Sequence, residues 1–146
     1  MGSYIDSAKN NIIEICSLLG ASGRLQGDGA LRAALLAYRD YPSKDKYSAG
    51  KDKFSVVEFH PFTKDLQIMK SYLAPLKAKG GWDYPEAFGT ALEYAYEKIE
   101  DWRDDALRAI IVVTDAAPHG IKEKGDNWPN GGPPGESLRF MASCTY

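Results

Sequence analysis

Cysteine is scarce in this chain. Of 146 residues only Cys16 and Cys144 carry a thiol, and neither belongs to a CxxC pair or a Cys/His cluster. Two thiols so far apart form no disulfide framework and no zinc finger, so a reduced, cytoplasmic protein is expected. Long apolar runs are also missing: none approaches the roughly 20 residues needed to span a bilayer. The opening stretch MGSYIDSAKNN has neither the basic start nor the apolar centre of a signal peptide. Neither sign of charge dominates. Eighteen Lys and Arg face 20 Asp and Glu, a net of −2, which gives no electrostatic reason to expect nucleic acid or an anionic membrane as partner. GxSxG, Walker, HExxH and post-strand GxGxxG signatures are absent, so no enzyme class is indicated.

What is present is the material of one globular domain: 44% hydrophobic and 26% charged residues, close to the soluble average. From Tyr4 to Leu19, the residues Ile5, Ala8, Ile12, Ile15, Cys16 and Leu19 recur at helical spacing. Cys16 lies on that apolar stripe and is expected to be a small buried hydrophobe. Leu31–Tyr38 reads as helix by propensity, but its shortness and its bounds at Gly29 and Pro42 suit a buried strand. Tyr41–Lys53 is polar and loop-like. Phe54–Phe59 predicts a strand ended by Pro61. Leu66, Met69, Tyr72, Leu73 and Leu76 predict a second helix, closed by Gly80 and Gly81. A third is expected over 85–102, with Asp83 and Glu86 at capping-box spacing and Pro85 in the first turn.

Ala109–Val113 is an unbroken apolar run of β-branched character, the mark of a parallel strand covered on both faces. It ends at Thr114 and Asp115. After Gly120 comes the loop GDNWPNGGPPG, over 125–135, and Glu136–Tyr146 has room for the start of one more helix. Helices alternating with apolar strands predict an α/β fold with a mainly parallel sheet. Three strands and three helices are few for such a sheet, and the chain reads as the middle of a domain.

Four stretches in order suggest a family: AYRDYP (37–42), PFT (61–63), GGWDYPEA (80–87) and VTDAAPHG (113–120). Together they resemble the von Willebrand factor A domain, in particular its intracellular branch found beside alpha-type protein kinases. The resemblance implies a three-layer, doubly wound sandwich with a metal-ion-dependent adhesion site at the carboxyl edge of the sheet, where such sheets bind ligands. It implies Mg²⁺, with Mn²⁺ or Ca²⁺ as substitutes, held by Asp115 at a strand end and by Asp83 before the third helix. A protein partner would complete the ion's shell with an acidic side chain. The family's first strand and its D-x-S/T-x-S loop have no match here, nor do its last strands and helices. The resemblance therefore implies a partial domain over 1–146, binding metal weakly and self-associating through exposed sheet edges. The rival readings are a regulatory or scaffold segment of an alpha-type kinase that uses no metal, and a metal-dependent phosphohydrolase.

Each candidate residue also has a plainer role. Asp115 suits a turn cap and Asp83 a helix cap. Thr90 falls inside a helix and ranks below Asp83. His119 has no partner near in sequence and is expected to pack in a loop. Arg39 and Asp40 suggest a structural ion pair or turn contact. Asp126, Asn127 and Asn130 lack EF-hand spacing and are expected in a flexible loop.

Overall fold

The structure, a computed structural model, describes residues 2–23, 25, 27, 29–44, 46, 47, 53–78 and 82–133. It is a mixed α/β arrangement: helix α1 (Gly2–Ala21), strand β1 (Ala33–Tyr38), strand β2 (Val57–Thr63), helix α2 (Leu66–Leu73) and helix α3 (Phe88–Glu97). The strands form one two-stranded antiparallel sheet. This corrects the expected mainly parallel, three-layer sheet. No helix among the described residues is long and apolar enough to cross a membrane. Gly80, Gly81 and the segment 134–146, where a helix stop and a further helix were expected, lie outside the described residues.

The chain divides into two compact units, Met1–Leu35 with Phe59–Ala78 and Leu36–Glu58 with Lys79–Tyr146. In the first, Leu35, Met69 and Leu73 are buried together, with Ile12, Ile13, Ala33, Tyr72 and Leu76 packed around them. Ile12 belongs to the expected α1 stripe, and Cys16 is buried as expected, a free thiol. Asp65 starts α2 by accepting a hydrogen bond from Gln67 N–H at 2.7 Å, which satisfies one of the donors a helix start leaves open.

The core of the second unit is Tyr41, Val56, Ala87 and Trp128, flanked by Tyr47 and Val57. Three sequence expectations are corrected here. The strand expected at 54–59 runs instead over Val57–Thr63, through Pro61, while 53–56 form a 3₁₀ turn. In a two-stranded sheet each strand has one unpaired side, so a proline without N–H can be accommodated there. Helix α3 begins at Phe88, with no side-chain cap on its first turn. Glu86 is instead drawn into a parallel bridge with Pro118, which keeps the backbone extended where the capping box would start a helix.

The third correction concerns Ala109–Val113, which is neither paired nor buried: Ile110, Ile111, Val112 and Val113 are 55%, 59%, 46% and 44% exposed. β-propensity describes fit to a neighbouring strand, and no described strand lies beside this run. The Gly/Pro loop after Gly120, expected to be flexible, contributes Trp128 to the core at 4% exposure. Gly120 itself has φ +88°, and a Cβ there would stand 3.0 Å from the Gly131 backbone. Only glycine combines that left-handed conformation with so close an approach.

Candidate functional site

The site begins where β1 ends. Successive side chains of an extended chain point to opposite faces, and Arg39 and Asp40 separate in this way. Arg39 goes outward to form an ion pair with Glu58 at 3.0 Å. Asp40 goes inward, its side chain fully buried. Its Oδ2 accepts hydrogen bonds from Trp82 N–H (2.8 Å) and Asp83 N–H (3.4 Å), and its Oδ1 lies 2.7 Å from His119 Nε2.

His119 is buried with its side chain 1% exposed. The other ring nitrogen, Nδ1, is 2.8 Å from Asp126 Oδ1. Asp126 is fixed in turn by Trp128 N–H on Oδ1 (2.7 Å) and Gly120 N–H on Oδ2 (2.9 Å). Tyr41 stacks on the imidazole, ring centroids 5.6 Å apart, and shares a hydrogen bond with Thr90 inside α3. Carboxylates face both ring nitrogens, so the imidazolium, which donates from both, is the form that fits.

The titration behaviour follows from this geometry. Burial alone would lower the His119 pKa, but the hydrogen bonds and charges of Asp40 and Asp126 outweigh it and hold it above the usual histidine value. Burial opposes ionisation of Asp40 and Asp126, yet His119 and the backbone N–H donors hold both below the ordinary carboxylate range. Asp83 differs. Burial, reinforced by the neighbouring Asp40 carboxyl, pushes it up against the opposing N–H of Asn127.

Asp83 is thus brought into a buried cluster with Asp40 and His119: one ligand atom from each lies within 4.8 Å of the others. Asp83 Oδ2 accepts from Asn127 N–H at 2.6 Å, whereas Oδ1 is buried with no hydrogen-bond partner. Two adjacent carboxyl groups shielded from water need a proton or a cation between them; a proton held on Asp83 fits its raised pKa beside Asp40, and a cation would serve the same pair. The donor set contains a nitrogen, so it is not the all-oxygen shell that Mg²⁺ prefers.

Asp115 is exposed and stands outside that converging set. It is nevertheless close to the same loop. Tyr84 Oη donates to the Asp115 carbonyl at 3.3 Å. Glu86 N–H donates to Ala117 O at 2.9 Å, and His119 N–H donates to Glu86 O at 3.2 Å. Residues 84–86 and 115–119 therefore run side by side. Glu86, between them, is pushed up to about 7, first by burial and then by the charges of Asp40, Asp115 and Asp83 against that of His119.

Sequence reasoning singled out Asp83 and Asp115 but treated Asp40, His119 and Asp126 as structural bystanders. His119 and Asp40 are 79 residues apart, and no local spacing announces their contact. The available signal was positional, since Asp40 follows a strand and His119 follows the apolar 109–113 run, each within a stretch that carried the family resemblance. No protein-family model, curated protein or solved structure matches the chain.

Proposed function

We propose that this chain is a protein-binding module of the von Willebrand A type. On this reading it takes up a divalent cation at the face carrying Asp83 and Asp115 and presents that cation to an acidic side chain of a partner. The observation that carries the reading is the side-by-side course of 84–86 and 115–119 through the Glu86–Pro118 bridge. Two motifs more than 30 residues apart, each bearing a candidate ligand, meet in one negatively charged place. Trp82 and Tyr84, 60% and 62% exposed, flank Asp83 at the surface. Exposed aromatics of this kind form the anchors of protein interfaces. The reading assigns binding rather than catalysis, in the cytoplasm.

The test is retention of Asp- and Glu-bearing peptides on the immobilised chain, with Mg²⁺ or Mn²⁺ and with EDTA. Retention should depend on the metal and be lost in Asp83→Asn and Asp115→Ala. Retention that EDTA leaves unchanged would favour a metal-free scaffold, and no retention under any condition would reject the module.

A further inference from the structure

We infer that the cation of this site is Zn²⁺, held by His119 Nε2 with the carboxylates of Asp40 and Asp83. The inference rests on the proposed cation-binding reading, keeps Asp83 as a ligand, and replaces Asp115 by Asp40 and His119.

Three observations lead to it. The first is the donor chemistry: imidazole is a ligand for zinc and its transition-metal neighbours, whereas magnesium selects oxygen. Three protein ligands also leave the fourth position of a tetrahedral zinc open. The second is the setting of the imidazole. Asp126 binds Nδ1 and is itself pinned by two backbone N–H groups, so the ring presents only Nε2. A carboxylate behind a ligating histidine orients the ring and raises its basicity. The third is the buried Oδ1 of Asp83, which has no hydrogen-bond partner.

The balance of protons is explicit. Without metal, a proton lies between His119 Nε2 and Asp40 Oδ1, 2.7 Å apart. Zn²⁺ takes that proton's place, and the proton leaves to solvent; any proton on Asp83 leaves with it. With zinc bonds of about 2.0–2.1 Å, two ligand atoms on one tetrahedral ion lie about 3.3–3.4 Å apart. The ligand atoms lie within 4.8 Å of one another, so metal uptake draws in Asp83, the least buried of the three, and widens the 2.7 Å pair of His119 Nε2 and Asp40 Oδ1.

The experiment is calorimetric titration of the whole chain with Zn²⁺ and, separately, Mg²⁺, in buffers of different ionisation enthalpy. Co²⁺ serves as the absorbing probe of a tetrahedral site. The expected result is one Zn²⁺ per chain with proton release and visible Co²⁺ bands. Zn²⁺ affinity should exceed that for Mg²⁺ at least a hundredfold. His119→Gln should abolish binding, and Asp126→Asn should weaken it 10- to 100-fold. Asp83→Asn keeps an acceptor for Asn127 N–H and so guards against misfolding; it should weaken Zn²⁺ at least tenfold. His60→Gln, which removes the other histidine of the chain, should change nothing. Zn²⁺ binding unchanged in Asp83→Asn would overturn the inference. Mg²⁺ binding that is lost in Asp115→Ala, with no Zn²⁺ binding, would overturn the zinc assignment alone and leave the proposed function standing. Binding of neither ion would overturn both.

Discussion

His119 is clasped by Asp40 and Asp126, one carboxylate on each ring nitrogen at 2.7 and 2.8 Å, with all three side chains at or below 1% exposure. Removing one member of such a buried set leaves charges without compensation. His119→Ala is therefore expected to cost about 3–5 kcal/mol, a large part of a typical domain stability of about 5–15 kcal/mol. A lower urea midpoint with unchanged slope would be the signature, and a loss below about 1 kcal/mol would show that the clasp is not structural.

Stability of the metal-free protein should fall as pH rises through neutrality. Glu86 is raised from an ordinary 4.5 to about 7, so the folded state holds a proton that the unfolded state releases. That contribution is complete below about 4.5 and lost by about 7. The raised His119 acts in the same direction, its contribution being present below the ordinary histidine pKa and lost above its folded one. Asp40 and Asp126, both lowered, act at the other end and remove stability as pH falls through their depressed values. Thermal melts without metal should thus peak on the mildly acidic side. Glu86→Gln should flatten the decline between pH 5 and 7, and a melting temperature that rises over that range would contradict the assignment.

Trp82→Ala should separate binding from folding. The ring is 60% exposed and lies 5.8 Å from Lys46 Nζ, so stability should change by no more than about 0.5 kcal/mol. If the ring anchors a partner, peptide affinity should fall by about 2 kcal/mol, roughly 30-fold. Equal affinity in the variant would move the binding face away from this loop.

The apolar run over 109–113 should drive self-association. Ile111, at 59% exposure, contributes little to a core, so Ile111→Lys should leave the melting temperature nearly unchanged. It should also shift the sedimentation profile toward monomer. A monomer at all concentrations before substitution would show that the exposed run is not adhesive.

Local patterns were enough to locate α1, β1 and the start of α2. Their stripes and stops depend on residues within a few turns of one another, and those contacts form wherever the chain folds. The α/β class was legible for the same reason. The sequence also determined the two charged loops that carry Asp83 and Asp115, because Gly, Pro and Asp punctuate the chain there. Tertiary structure decided the rest. Glu86 became a bridge partner of Pro118 rather than half of a capping box, since a backbone pairing across 32 residues competed with a local side-chain bond. Ala109–Val113 had the composition of a buried strand, but burial depends on a neighbour, and pattern alone does not supply one. The clasp on His119 was illegible for a related reason. Asp40 is 79 residues away, and the value of a buried ion pair depends on desolvation and geometry, which exist only once the chain has brought the partners together.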